Sequence, residues 1–104
     1  MKNMADTGLD KETWRKIFGV VLALAPNATV YLFGSRAKGS YHDRSDIDIA
    51  VDIGEKMKIA SVGEIRDMLN ASNIPYKFDV VDLYGIDERL RSIILKEGIK
   101  WVPQ

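Results

Sequence analysis

The sequence predicts an α/β (α+β) domain in which a small mixed β-sheet carries helices packed on one face. Three observations predict it. Helix-period and strand-period segments alternate along the chain in the order α-β-(α)-β-α-β-α. The strand candidates are short, and one mixed sheet in a layered sandwich is the natural way to bury them. The length of 104 residues allows one core and not two, because a chain of this size buries roughly 60–70% of the surface its unfolded form exposes. A single domain over residues 1–104 is expected, with residues 1–8 polar and flexible.

The elements follow in order. Asp10 is placed to cap a helix whose apolar face is Trp14, Ile17, Phe18, Val21, Leu22 and Ala25. Pro26 and Asn27 end it. "ATVYLF" (28–33) is β-branched and aromatic and reads as a strand that Gly34 stops. "SRAKGS" suits the start of a short helix, and "YHDRS" is a polar turn. "DIDIAVDI" (46–53) alternates with period two, a half-buried strand ended by Gly54. Ile59, Val62, Ile65, Met68 and Leu69 form the face of a second long helix. Its start is either at the capping-box pair Ser61 and Glu64 or a turn earlier. "SNIP" breaks that helix, and "YKFDVVDLY" (76–84) is a third strand. Asp87 caps a last helix with Leu90, Ile93 and Ile94 facing inward, which Gly98 stops. "IKWVP" reads as a short final strand or an extended tail.

Composition narrows the function. The 15 basic and 15 acidic residues balance, which argues against tight sequence-independent binding of nucleic acid. There is no Cys and only one His, so disulfides, thiolate sites and His-cluster zinc sites are excluded. Any metal must be held by carboxylates, which suits magnesium or manganese. The N-terminus lacks the apolar core of a signal peptide, and the longest apolar run, residues 17–25, is too short to span a bilayer. A cytoplasmic protein without a membrane partner is expected.

Asp46 and Asp48 stand out, because aspartate disfavours strands and its burial without a partner is costly. Two residues apart on a strand, they share one face, with Ile47, Ile49 and Val51 on the other. Their Cα atoms would lie about 6.5–7 Å apart, a reach that converges on one divalent ion or on two ions about 3.5–4 Å apart. Asp79 on a neighbouring strand is the candidate third carboxylate, with Asp82 directed to the opposite face. Solvated surface charge is the plainer reading of all three on composition alone. The Gly34–Ser35 turn supplies a second half. Gly34 lets a ligand approach the backbone, and Ser35 offers a hydroxyl and an N–H at the start of the short helix. Arg36 and Lys38 add positive charge nearby. By itself Gly-Ser is only a strand-ending turn.

Together the parts are specific. In "GSRAKGSYHDRSDID", Gly34 and Ser35 are followed by ten residues and then Asp46, Ile47 and Asp48. This resembles the G-S-x10-D-x-D signature of the DNA polymerase beta-like nucleotidyltransferase superfamily. The size and the later "FDVVDL" strand are similar to its minimal nucleotidyltransferase (MNT) domains, in particular the MNT antitoxins of HEPN/MNT toxin–antitoxin pairs. The resemblance implies a polymerase beta palm-like fold. It implies Asp46, Asp48 and Asp79 as catalytic ligands of two magnesium ions, with manganese as a substitute. It also implies Gly34 and Ser35, helped by Arg36, as the grip on the triphosphate.

The resemblance further implies transfer of a nucleoside monophosphate, AMP from ATP, to a hydroxyl of a small helical HEPN-type partner, because so short a chain leaves little to bind an acceptor. Two rivals stay open: a small-molecule nucleotidyltransferase of the aminoglycoside-modifying kind, completed by a homo-oligomer, and a non-catalytic module that neutralises its partner by contact. The plainer reading is kept for the remaining conspicuous residues. His42, Tyr41 and Arg44 are expected on the surface, Asp43 at the rim or in water, and Asp52 in a structural role. Trp14 and Phe18 fit the core, and Trp101 covers an edge or a partner surface.

Overall fold

The structure is a computed structural model that describes residues 7–101. Residues 1–6, most of the stretch expected to be flexible, lie outside the described residues. Thr7, from the same stretch, is fully buried. The Asp10 carboxylate accepts the Thr13 N–H at 2.8 Å and starts α1, Lys11–Leu24. β1 (Thr29–Phe33), α2 (Ser35–Lys38), β2 (Ile47–Asp52), α3 (Ile59–Ala71), β3 (Phe78–Asp82), α4 (Glu88–Glu97) and β4 (Ile99–Trp101) follow. α3 starts a turn before Ser61, so the capping-box pair lies inside it.

The strands form one mixed sheet in the order β3-β2-β1-β4. β1 is antiparallel to β2 and to β4, and β2 is parallel to β3, with α3 as the crossover. The period-two pattern sets the two faces. Val30, Leu32, Ile47, Ile49, Val51, Phe78, Val80, Ile99 and Trp101 are buried with Ile17, Phe18 and Val21 of α1 and Ile65 and Leu69 of α3. Trp101 therefore belongs to the core, its ring centroid 5.6 Å from that of Phe18, and not to an exposed edge.

A mixed sheet with helices is present as expected, but the helices do not share one face. Ile94 and Leu90 of α4 pack with Ala50, Tyr31, Phe33 and Val81, which alternate with the residues of the first face. The connectivity explains this placement. α4 must carry the chain from β3 at one edge to β4 at the other, and α1 and α3 already cover the first face. Ile93 was expected inward, yet it is exposed, as are Met68 and Ile59 of α3. Among the described residues, no helix is long and apolar enough to cross a membrane.

The C-terminal ends of β2 and β3 are closed by their own carboxylates. Asp52 accepts the Gly54 N–H at 2.7 Å and shapes the turn after β2, the structural role expected for it. Asp82 is buried on the first face, where its two oxygens accept the Met57 N–H at 2.8 Å and the Tyr84 N–H at 3.1 Å. It pins the 53–58 loop to the end of β3. Asp82→Ala leaves both N–H groups unanswered and is expected to lower stability by about 2 kcal/mol, read as the denaturation midpoint at unchanged slope.

Candidate active site

The strand register gathers the candidate residues at the other end of the sheet. Phe33 pairs with Asp48 across the antiparallel strands, and Asp48 pairs with Asp79 across the parallel ones. The C-terminal end of β1 therefore meets the N-terminal ends of β2 and β3. Gly34 and Ser35 follow β1, Asp46 directly precedes β2, and Asp48 and Asp79 are second in their strands. Asp46 and Asp48 alternate with buried Ile47 and Ile49, and Asp79 lies between buried Phe78 and Val80. All three carboxylates thus project from the α4 face, in the part that α4 leaves open.

Asp48 is half-buried, and Asp46 and Asp79 are exposed. Burial first, then the charges of Asp79 and Asp46, hold the Asp48 carboxyl above the usual carboxylate range. No lysine or arginine among the described residues lies within ion-pair distance of the three; the ion pair found joins Arg66 and Asp67.

Gly34 is required where it stands. Its backbone has φ +77° and ψ −154°, a conformation that is essentially glycine's alone. A Cβ there would overlap the Asp48 carboxylate, lying 3.1 Å from Cγ. The turn is therefore shaped around that carboxylate. Ser35 opens α2, and its carbonyl accepts the Ser40 N–H at 3.1 Å.

Arg36 departs from expectation. It is 2% exposed, and its guanidinium is enclosed within the fold. Nε and Nη2 donate to the Ser45 carbonyl at 3.2 and 3.0 Å, and Nη1 donates to the Thr7 carbonyl at 2.9 Å. Nη2 also reaches the Asp43 carbonyl at 3.5 Å. Tyr41 and Tyr76 lie against it, their ring centroids 5.1 and 4.7 Å from the guanidinium carbon. Tyr41 is thus half-buried where a surface position was expected. Lys38, one turn on, is exposed. His42 and Arg44 are exposed as expected, and the His42 Nδ1 accepts the Arg44 N–H at 3.2 Å.

Sequence reasoning missed Asn70. From α3 its side-chain amide brackets Phe78, accepting the Phe78 N–H at 2.9 Å and donating to the Phe78 carbonyl at 3.2 Å. β3 is an edge strand, so these bonds satisfy backbone groups that no further strand reaches and fix the residue next to Asp79. An Asn next to the last residue of an amphipathic helix was the available signal.

Among the described residues, no three His, Asp or Glu side chains form a metal-holding set by themselves. The donor chemistry nevertheless fits a hard divalent cation. Magnesium takes one or two carboxylates and completes its shell with substrate phosphates and water. Oxygen-only, uncompensated carboxylates on an open surface supply that share.

The family described as "Polymerase beta, Nucleotidyltransferase" matches residues 24–102. The chain is 28% identical over 96 residues to the "Probable protein adenylyltransferase MntA" of Haemophilus influenzae, spanning 92% of this chain and 84% of that protein. A crystal structure of a toxin–antitoxin with AMP-PNP superposes with a TM-score of 0.71 at 30% identity, covering 92% of this chain and 76% of that one. A structure of a tri-AMPylated Shewanella oneidensis HEPN toxin in complex with its MNT antitoxin gives a TM-score of 0.70 at 26% identity, covering 92% and 75%.

The raised Asp48 carboxyl has a consequence for stability. The folded chain holds a proton there at a pH where the unfolded chain has released it. The stabilisation is full below the ordinary aspartate range and is lost as pH rises through the folded value. At neutral pH without metal, ionised Asp48 therefore costs stability. Asp48→Asn is expected to raise the melting temperature of the metal-free protein at pH 7 and to change it less at pH 4; thermal denaturation at the two pH values checks this.

Proposed function

The chain belongs to the polymerase beta nucleotidyltransferase family, and on that premise we propose that it transfers AMP from ATP to a hydroxyl of a small helical HEPN-type partner, in a metal-dependent reaction, as the antitoxin of a toxin–antitoxin pair. One observation carries the reading: three carboxylates that no cation of the described residues pairs with stand beside a glycine turn shaped to admit one of them. The relatives named above, an adenylyltransferase and an MNT antitoxin bound to an AMPylated HEPN toxin, support the donor and acceptor classes. Exposed Ile93 and Leu95 on α4 and Ile59 and Met68 on α3 offer apolar area of the kind a protein partner covers. The cytoplasm, where magnesium–ATP is available, suits the reaction.

In this mechanism Asp46 and Asp48 would hold the metal, with Asp79 as the third ligand. A bound divalent metal supplies charge stabilisation at the α-phosphate and activates an attacking hydroxyl. Gly34 gives the triphosphate room to approach the backbone, and Ser35 donates from its hydroxyl and N–H to the β- and γ-phosphates. Lys38, exposed on the same short helix, takes the charge-complementing role that buried Arg36 cannot fill. Asp79 accepts the proton of the acceptor hydroxyl. The hydroxyl oxygen bonds to the α-phosphorus, the bond to the β-phosphate oxygen breaks, and pyrophosphate leaves.

Intact-mass measurement of the partner, after incubation with the protein, magnesium and each nucleoside triphosphate in turn, tests the reading. A gain of one or more AMP units from ATP is expected. Asp46→Asn and Asp48→Asn are each expected to slow that gain by at least about 10²-fold, the scale for losing a preorganised transition-state contact. An unchanged rate in either variant contradicts the site, and a partner neutralised without any mass gain contradicts the reaction.

A further inference from the structure

We propose that Arg36 is a positioning residue that locks the phosphate-gripping turn to the metal-holding carboxylates; the inference rests on the nucleotidyltransferase reading above. Arg36 follows Ser35 directly, and its Nε and Nη2 both close on the carbonyl of Ser45, the residue directly before Asp46. That carbonyl belongs to the peptide whose nitrogen is that of Asp46, so the guanidinium fork fixes the plane in which the chain enters Asp46. One side chain thereby joins the residue after the first half of the site to the residue before the second. The intervening turn is exposed at Lys38–Ser40 and at His42–Arg44; the His42 N–H donates to the Ser45 hydroxyl at 2.8 Å and the Ser45 N–H to the His42 carbonyl at 3.0 Å, bonds that close the turn on itself and do not reach back to Ser35.

The third part of the site is reached through the aromatic contact. The Tyr76 ring packs on the guanidinium 4.7 Å from its carbon, and Tyr76 lies in the turn that leads into β3 and Asp79. The next residue, Lys77, accepts the Ile47 N–H at 2.9 Å, holding the starts of β2 and β3 together. Tyr41 packs on the guanidinium as well, and Thr7 accepts from Nη1. A buried guanidinium is tolerable only when its donors are answered. Here backbone carbonyls and ring faces answer them, and among the described residues no carboxylate does. The Asp46, Asp48 and Asp79 charges consequently stay available to a cation. Lysine cannot replace this arrangement, since one ammonium cannot reproduce a planar fork lying against two rings.

The test uses the full chain and α,β-methylene ATP, which binds without transferring its α-phosphate, with calorimetry in the presence and absence of magnesium. Wild type is expected to bind more tightly with magnesium. Arg36→Lys is expected to lose about 10-fold or more of that magnesium-dependent gain, the usual scale for removing a group that orients metal ligands, while its metal-free affinity changes little. Tyr76→Leu removes one ring but no donor and is expected to show a smaller loss of the same kind. It decides the matter if Arg36→Lys does not melt cooperatively. A metal-free readout accompanies these: amide exchange over residues 39–45 is expected to quicken in Arg36→Lys. Asp82→Ala, destabilised at the opposite end of the sheet, is expected to keep the magnesium-dependent gain.

A gain fully retained in Arg36→Lys, or in Tyr76→Leu where Arg36→Lys does not fold, overturns the positioning role and leaves the nucleotidyltransferase reading standing. A gain lost equally in Asp82→Ala overturns it too, because general destabilisation then explains the effect. A wild type with no magnesium-dependent gain overturns the nucleotidyltransferase reading and this inference with it.

Discussion

Asp48 faces Asp79 across a parallel strand pair with Asp46 two residues away, and burial compounds their repulsion. A domain whose net stability is of the order of 5–15 kcal/mol has little room for such an arrangement. Strand register holds it in place. Ile47 and Ile49 are fully buried, and Phe78 and Val80 nearly so, on the face opposite the carboxylates. A slip of one residue would turn that apolar row outward and the aspartates inward. The core beneath α1 and α3 therefore fixes the charge cluster.

The two ends of the sheet show what is unusual about the cluster. At the C-terminal ends of β2 and β3, Asp52 and Asp82 have N–H groups within 3.1 Å. Those carboxylates close turns. At the N-terminal ends, the same residue type is set where like charges crowd and where the nearby buried cation, Arg36, donates to carbonyls instead. Gly34 gives up its side chain so that the Asp48 carboxylate can lie against its backbone. Answered aspartates serve the fold, and unanswered ones at a glycine turn are suited to a bound cation.

Much of this was legible in the sequence. Alternation in "DIDIAVDI" placed Asp46 and Asp48 on one face, and the same period separated Asp79 from Asp82. The spacing from Gly34 and Ser35 to the aspartate pair identified the family. Less was legible where a side chain's meaning depends on what covers it. Arg36, an arginine beside a phosphate-type motif, reads as a ligand until the 41–45 loop and Thr7 are seen to enclose it. The apolar stripe of α4 marks a buried face but not which side of the sheet receives it; strand order decides that. "IKWVP" reads either as a short strand or as an extended tail, and pairing with β1 decides for the strand and carries Trp101 into the core.

The central claim is that the end of the sheet bearing Gly34, Ser35, Asp46, Asp48 and Asp79 is where a metal–nucleotide binds. The most direct measurement is anomalous scattering from a crystal of the protein grown with manganese and α,β-methylene ATP. The account predicts a manganese peak between the Asp46 and Asp48 carboxylates, with the triphosphate against Gly34 and Ser35. A peak elsewhere, or a triphosphate bound away from that end of the sheet, would contradict it.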